Sequence, residues 1–319
     1  MKAPYVKYSQ YLTEKYGEKV YKIPINIPSH CPNRDGTKGY GGCIFCAEDG
    51  SGHENMSQHT AVALQYDAMR QLLQRKYRAK KYIAYLQSFS NTYLPYQQFE
   101  RYLHEIAQLR DCVAVAVATR PDCVEERHIR FLRDLRKTYG VDISVELGLQ
   151  SANEETLKIL NRRHTVADVV KSAQRVKEAG LELCLHVISN LPWDERKDVV
   201  ATAKLINRLN ADTAKLHTLY IAKGTALEKM YLRGEVRLLS LEETIERTIL
   251  LLEHLAPTVA LQRIVSRVTE EKSVFCNWHL SWRKVLKMIE EEMRSRESYQ
   301  AKAWTNMSEK TIRADKDVN

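Results

Sequence analysis

The sequence has no apolar run approaching the ~20 residues that a helix needs to cross a bilayer. Its longest candidate, residues 113–118, has the length of a strand. The first residues, MKAPY, lead into polar sequence without the apolar core of a secretion signal. We therefore expect a cytoplasmic protein with no membrane partner.

The chain also lacks the pattern of a disulfide framework. It has seven cysteines, an odd number, and no export signal precedes them. Cys112, Cys123, Cys184 and Cys276 are scattered along the chain, and each is expected to be a small core residue. The other three are clustered within residues 31–46, which makes that segment the candidate for metal chemistry.

Basic residues exceed acidic ones. The 319 residues include 49 Lys and Arg against 40 Asp and Glu, a formal charge of +9, with 44% hydrophobic residues as in soluble globular proteins. The excess is compatible with an anionic partner such as nucleic acid, and equally with a solvated basic surface. It is concentrated at residues 75–81 and 161–164.

Strand-like and helix-like segments alternate through most of the chain. Apolar and β-branched runs predict strands at residues 20–27, 82–86, 113–118, 143–149, 183–188 and 213–220, and a last one at 259–265. The strand starts recur roughly every 30 residues, the length of a βαβ unit. Successive right-handed units build a parallel sheet that curls. We predict an α/β fold, a partial (β/α)6 TIM-like barrel, with its chemistry at the carboxyl ends of the strands.

A glycine-rich loop after the first predicted strand contains the three clustered cysteines. Cys31, Cys43 and Cys46 have the spacing C-x11-C-x2-C. Three thiolates can hold three irons of a [4Fe–4S] cluster and leave the fourth iron open to a ligand. The alternative is a zinc site, in which His30 or His53 completes a Cys3His set.

Five sequence blocks carry a family resemblance. They are CPNRDGT (31–37), GGCIFC (41–46), TRPD (119–122), VELGLQS (145–151) and ILNR (159–162). In them the chain resembles the YtqA/YhcC group of radical S-adenosylmethionine (SAM) enzymes, which is related to the radical SAM part of the Elongator catalytic subunit. The similarity runs from about residue 5 to residue 299. It implies a partial (β/α)6 barrel, a [4Fe–4S] cluster and SAM, which the reduced cluster cleaves to a 5′-deoxyadenosyl radical.

The resemblance also implies roles for single residues. Cys31, Cys43 and Cys46 are the expected cluster ligands. Gln150, at the end of the fourth strand, is the expected contact to the cofactor ribose. Arg162 is the expected partner of its methionyl carboxylate, since a guanidinium group pairs with a carboxylate through two parallel hydrogen bonds.

Further cofactor contacts are expected at the ends of other strands. His186, on the fifth strand, corresponds to a polar ribose contact in relatives. Gln87 and Ser88 follow the second strand, where many superfamily members have a glycine-rich turn that contacts the cofactor amine; this chain has no glycine there. Thr119 begins the TRPD block after the third strand and is also expected to bind the cofactor.

Three polar residues interrupt apolar strands. Glu146 needs a partner if it is buried, so it either serves the cofactor or forms a structural ion pair. Lys215 and His217 alternate on the sixth strand and therefore point to the same side. They are the candidate catalytic residues if that side is the barrel lumen, and a satisfied polar core pair if it is not.

Two segments depart from the family pattern. Asn190-Leu191-Pro192 replaces the usual Gly-Leu-Pro after the fifth strand, a turn that Asn tolerates. Gln262-Arg263-Ile264 stands where many members have His-Arg-Ile. Because this segment belongs to the substrate end of the site, the resemblance does not determine the exact reaction.

Three functions follow as hypotheses. The first is a tRNA-modifying radical SAM enzyme that matures the 5-substituent of wobble uridine, from carboxymethylaminomethyl towards aminomethyl, with an electron donor such as flavodoxin or ferredoxin. The second is a radical SAM enzyme acting on a small metabolite or peptide. The third is a zinc-stabilised nucleic-acid-binding protein. The expected domains are a barrel at residues 1–237, with the cluster loop at 28–53, and a helical extension at 238–319 that closes the barrel.

Overall fold

A computed structural model describes residues 3–48, 50 and 56–305 of the chain. Nine strands follow one another along it: β1 (Val20–Ile25), β2 (Lys81–Leu86), β3 (Cys112–Thr119), β4 (Asp142–Gln150), β5 (Glu182–Ile188), β6 (Thr213–His217), β7 (Ile221–Ala222), β8 (Ala260–Arg263) and β9 (Ser273–Phe275). Seven of them form one sheet in the order β1-β2-β3-β4-β5-β6-β8, and every neighbouring pair in it is parallel.

The sheet is curled into a half-barrel, which confirms the predicted α/β class and partial barrel. Its central strands are buried almost throughout, as the alternating valines and alanines of β3 illustrate. A parallel strand covered on both faces is expected to be apolar along its length. The sixth strand ends at His217, three residues before the predicted end, because the chain leaves the sheet there and pairs β7 with β9.

Ten α-helices of the described residues connect and cover the strands. They are α1 (Tyr8–Tyr16), α2 (Val62–Tyr77), α3 (Tyr96–Ala107), α4 (Glu126–Tyr139), α5 (Glu154–Ile159), α6 (Val166–Glu178), α7 (Arg196–Arg208), α8 (Ala226–Leu232), α9 (Leu241–His254) and α10 (Trp282–Ser295). Local sequence sets several of their starts; for example, Thr165 and Asp168 form a reciprocal capping box at α6. Among the described residues, no helix combines the length and the apolar character needed to cross a bilayer.

Helix α1, which the sequence patterns did not predict, packs against the lumen side of the half-barrel. Its buried Leu12 belongs to a small core with Ile83 and Tyr85 of β2 and with alanines of β3. The Tyr11 hydroxyl donates to Glu182, at the start of β5, over 2.6 Å. The Tyr16 hydroxyl likewise donates to Asp142, the first residue of β4, over 2.9 Å. Because Glu182 and Asp142 begin their strands, these polar contacts place the end of α1 at the amino-terminal side of the barrel.

The part of the chain beyond residue 237 contributes to the sheet as well as to the helical layer. Strand β8 lies beside β6, and α9 packs on α7 and α10. A backbone bridge also joins Lys7 to Leu261, so the start of the chain lies along the outer edge of β8. The two parts therefore share one sheet. The domain boundary at residue 237 stays a prediction.

Candidate functional site

One cavity of about 270 Å³ opens at the carboxyl ends of the parallel strands. All but one of the residues proposed as site residues from the sequence line it: Cys31, Cys43, Cys46, Gln87, Thr119, Glu146, Gln150, Arg162, His186, Lys215 and His217. Ser88 is buried in the turn after β2 and is not part of the lining. Its carbonyl accepts hydrogen bonds from Ser29 and Asn91.

The cysteine loop is held in place by the residues between its cysteines. Ile44 and Phe45 pack against a second apolar core that includes Leu160 and Leu227. Backbone hydrogen bonds join the Ile44 amide to the Leu160 carbonyl and the Leu227 amide to the Ile44 carbonyl. The apolar pair inside C-x2-C therefore anchors the loop, while its flanking thiols face the cavity.

Hydrogen-bond donors, one of them a guanidinium group, surround the Cys43 sulfur. Nη1 of Arg162 lies 3.3 Å from it and Nδ2 of Asn33 lies 3.6 Å from it. A hydrogen bond from the Cys46 thiol, with the charges of Arg162 and Arg120, holds the pKa of Cys43 well below its usual value despite burial. Such an environment favours the thiolate, the form in which cysteine binds iron or zinc.

The spacing of the three thiols suits a cluster better than a single ion. Ligands around one tetrahedral zinc lie within about 3.8 Å of one another, since each is ~2.3 Å from the metal. In the described part of the chain, one group of three His, Cys, Asp or Glu side chains has all its ligand atoms within 4.8 Å, and it is Glu146, Cys184 and His186. The three loop thiols do not all lie within this distance of one another, as is expected of ligands to separate irons.

Neither histidine of the zinc alternative strengthens it. His30 is exposed to solvent, and His53 lies outside the described residues. The compact group of Glu146, Cys184 and His186 is also a poor cation site, because the ammonium groups of Lys22 and Lys215 lie 2.5 and 3.8 Å from the Glu146 carboxylate. A divalent cation there would meet two positive charges.

Arg162 is buried beside the loop with three hydrogen-bond acceptors. It donates to the Cys43 sulfur, to the Gly148 carbonyl over 2.9 Å and to Nε2 of His164 over 3.0 Å. Gly148 gives it room, because a Cβ there would lie 2.9 Å from Nη2 of Arg162 and 3.0 Å from Nε2 of Gln150. The two residues assigned to the cofactor thus converge on one glycine.

A buried ion network crosses the lumen below these residues. Glu146 is fully buried and accepts from Lys22 over 2.5 Å, from His186 over 2.7 Å and from Gln262 over 3.2 Å. Burial opposes its ionisation, but Lys22, Lys215 and His186 outweigh that effect and hold the pKa of Glu146 well below its usual value. Glu146 is therefore an ion-pair partner that also lines the cavity.

Lys215 and His217 both face this lumen, as their alternation on the strand predicted. Nζ of Lys215 donates to the Tyr85 hydroxyl over 2.6 Å. Burial, reinforced by Arg263 and Lys22, lowers the pKa of Lys215 to about 7 despite Glu146. Burial and the neighbouring Arg263 hold the pKa of His217 well below its usual value, so its ring is neutral at pH 7.

Several lining or network residues were given no site role from the sequence: Lys22, Tyr85, Arg120, Gln262 and Arg263. Lys22 carries the same signal as Glu146, a charged residue inside a buried strand. Arg120 is bound through two hydrogen bonds to Asp122 in the TRPD block. The roles of Arg263 and Gln262 depend on strand register, which the sequence does not reveal.

Family models match most of the chain. One described as the radical SAM superfamily matches residues 25–206, and one described as the radical SAM C-terminal domain matches residues 211–295. Protein YtqA of Bacillus subtilis (strain 168) is 32% identical over 302 residues, which cover 94% of this chain and 93% of that protein.

Two further relatives cover smaller shares of their own length. The tRNA uridine(34) acetyltransferase of Methanocaldococcus infernus is 32% identical over 150 residues, 45% of this chain and 26% of that protein. A solved structure of Methanocaldococcus infernus Elp3 with an N-terminal deletion aligns with a TM-score of 0.65 at 21% identity. The alignment covers 88% of this chain and 64% of that one, and it supports the half-barrel fold alone.

Proposed function

The chain belongs to the radical SAM superfamily, and we propose that this radical SAM enzyme modifies the 5-substituent of the wobble uridine in tRNA. It uses a [4Fe–4S] cluster and SAM. When bound, the reduced cluster supplies the electron that cleaves SAM to a 5′-deoxyadenosyl radical, which takes a hydrogen atom from the substrate. The carrying observation for the substrate is the similarity to a tRNA uridine(34) acetyltransferase over 45% of the chain.

Three thiols facing one cavity support the assignment of the cluster to this loop. Cys31, Cys43 and Cys46 would hold three irons, and Arg162 beside Cys43 would stabilise the bound thiolate. Gln150 and His186 lie farther along the same wall and would orient the cofactor ribose. Because the loop is anchored through Ile44 and Phe45, the protein presents these groups in a fixed arrangement.

The lumen below would receive the base. Lys215, with a pKa of about 7 and a hydrogen bond to Tyr85, can give or take a proton at Nζ near neutral pH. The nucleotide would leave the anticodon stack to reach it, as bases do in other enzymes that act on them. Helix α1, which packs on the lumen side of β2 and β3, would limit access of water from the amino-terminal side.

Exposed arginines at the mouth would bind the tRNA backbone. Arg163 is exposed next to the cysteine loop, and Arg267 lines the cavity while stacking on Trp282, with Cζ 3.9 Å from the ring centre. The basic stretch at residues 75–81 joins the end of α2 to the start of β2. It therefore lies at the amino-terminal end of the strands, opposite the cavity. It is therefore not expected to hold an RNA whose base enters the cavity.

The test is anaerobic reconstitution with iron, sulfide, SAM and tRNA from a strain that lacks this gene. We expect 5′-deoxyadenosine and conversion of carboxymethylaminomethyl-uridine to aminomethyl-uridine, both measured by mass spectrometry, and neither product with a Cys31→Ala variant. Production of 5′-deoxyadenosine only with peptides or small metabolites would reject tRNA as the substrate. An unchanged wobble-uridine profile in the deletion strain would reject it as well.

A further inference from the structure

A partly buried arginine in the lumen has no counter-ion in the described part of the chain. Arg263, the last residue of β8, lines the cavity. Its Nε is buried and has no hydrogen-bond partner. Its Nη2 lies 2.5 Å from Nδ1 of His217, whose ring is neutral. Within the described residues, no carboxylate oxygen lies within 4.0 Å of this guanidinium group.

Three other cations of the site each have an acceptor for their charge, although Nη1 of Arg120 also lacks a hydrogen bond. Arg120 forms a two-pronged pair with Asp122, and Lys22 pairs with Glu146. Arg162 donates to the Cys43 sulfur and to a backbone carbonyl. A charge removed from water without a partner is costly. Arg263 therefore differs from its neighbours in needing an anion that the described protein does not provide.

Strand register brings a second cation close to Arg263. A bulge interrupts the pairing of β6 with β8, so that Ala214 lies opposite Leu261 and Lys215 lies opposite Arg263. The bulge leaves Gln262 without a partner residue on β6, so that two consecutive side chains point into the lumen. Gln262 contacts Glu146 there, and Arg263 contacts His217. Because Lys22 and His186 already occupy Glu146, Lys215 has only a 3.8 Å contact with that carboxylate.

We propose that Arg263, with Lys215 beside it, binds the carboxylate of the substrate and so determines its specificity. This inference rests on the proposed function, because the carboxymethylaminomethyl substituent ends in a carboxylate. A guanidinium group with an unused Nε–H and a cavity-facing edge can pair with a carboxylate through two hydrogen bonds. The site lies on the lumen side of β8, so a base substituent can reach it while the backbone phosphates remain at the mouth.

The same pair would disfavour the product. Removal of the carboxymethyl group would use one SAM, cleaved to methionine and 5′-deoxyadenosine, as the two-electron oxidant, and water would release the two carbons as glyoxylate. The remaining aminomethyl group is a cation at neutral pH. The ammonium group of the product would then lie near the Arg263 guanidinium, and the substrate carboxylate that had neutralised the arginine charge would be gone. We therefore expect the enzyme to bind the carboxylate-bearing nucleoside more tightly than the aminomethyl nucleoside, and to release the product for that reason.

Binding measurements without SAM test the inference apart from catalysis. Anticodon stem-loops bearing carboxymethylaminomethyl-uridine, or its neutral amide, are titrated against the reconstituted enzyme. We expect the wild-type protein to prefer the carboxylate, and Arg263→Gln to lose about 10- to 100-fold in affinity for it, the range of a charge-assisted hydrogen bond. Affinity for the amide should change little. Arg263→Lys should recover part of the preference.

Arg110→Gln is the matched control, because Arg110 is 77% exposed and precedes β3 at the opposite end of the sheet. Melting temperatures and iron content verify that each variant is folded and loaded. The inference is overturned if Arg263→Gln loses equal affinity for the carboxylate and the amide stem-loops, or loses affinity for neither. The proposed function would then still be supported by turnover of tRNA by the wild-type enzyme.

A second measurement does not depend on tRNA. Acetate, acetamide and inorganic phosphate are each added to the reconstituted enzyme, and binding is followed by ligand-observed NMR. Acetate binding that Arg263→Gln abolishes supports a carboxylate site even if no tRNA is turned over, in which case the proposed function alone fails. Phosphate binding stronger than acetate binding, or acetate binding unaffected by the substitution, contradicts a carboxylate site.

Discussion

Arg162 donates a hydrogen bond to the sulfur of Cys43 across 3.3 Å, although 119 residues separate them in the chain. The contact ties the end of β4 and the segment after α5 to the cysteine loop, because the same guanidinium group also binds the Gly148 carbonyl. Asn161, next to Arg162, adds two more hydrogen bonds to the loop. Its backbone carbonyl accepts one from the Asn33 side chain, and its side-chain amide donates one to the Gly42 carbonyl. The loop geometry is thus set by distant residues as well as by its own glycines.

Replacement of Arg162 tests this link. We expect Arg162→Ala to reduce the free energy of unfolding by about 1–3 kcal/mol, since it leaves buried acceptors without a donor. Affinity for SAM should fall as well. Arg162→Lys keeps the charge but cannot reach three acceptors, so intermediate values are expected. Urea denaturation and equilibrium dialysis with SAM measure the two effects; normal SAM binding by Arg162→Ala would remove this residue from the cofactor site.

Single substitutions in the loop test the cluster assignment. We expect Cys31→Ser, Cys43→Ser and Cys46→Ser each to lose the visible absorption and most of the iron, against about four irons per chain in the wild type. Cys112→Ala is the control, because Cys112 begins β3 at the other end of the sheet. Stoichiometric zinc in protein purified without oxygen, with no iron after reconstitution, contradicts the assignment.

Glu146→Gln tests the buried ion network. The substitution leaves Lys22 and Lys215 without their carboxylate, and removal of one partner from a buried pair costs about 3–5 kcal/mol. Since the pKa of Glu146 is lowered in the folded protein, its contribution is present above the unfolded pKa and is lost as pH falls through the folded value. The stability gap between wild type and variant should therefore shrink on acidification below pH ~4.3. A gap independent of pH would show that packing, and not charge, causes the loss.

Lys215 gives a second pH-dependent prediction, in the neutral to alkaline range. Its pKa is about 7 in the folded protein and ~10.4 when unfolded. Between these values the unfolded chain binds more protons, so the lysine penalty on stability decreases as pH rises. We expect Lys215→Met to be more stable than the wild type near pH 7, with the difference narrowing towards pH 9.5. Chemical denaturation at several pH values measures it, and a constant difference would contradict the lowered pKa of Lys215.

Leu12→Ala tests whether α1 closes the barrel. Leu12 is buried against Ile83 and the β3 alanines, and a buried leucine truncated to alanine costs about 2–5 kcal/mol. Leu64→Ala on α2 is the control, because Leu64 is 64% exposed and surface changes usually stay within about 0.5 kcal/mol. Similar losses for both variants would mean that α1 adds little to the barrel.

Much of the fold could be predicted from local patterns. The apolar run of β3 and the βαβ spacing indicated a parallel barrel, because burial on both faces demands continuous apolar strands. The C-x11-C-x2-C spacing and the family blocks indicated the residues that converge on the cavity. By contrast, α1 is rich in tyrosine and charge and buries only Leu12, so its sequence carries no strong helical periodicity.

The amino-acid order alone thus specified the strand succession, the thiol loop and the side of the sheet where they meet, since these depend on short-range periodicity and spacing. The lumen contacts depended on the assembled molecule. Lys22 and Gln262 lie 240 positions apart and meet across the barrel over 2.7 Å, and a bulge in β8 places Arg263 beside His217 in the lumen. Barrel curvature and strand register determine such contacts, because they arise from packing between elements that no single stretch of sequence contains.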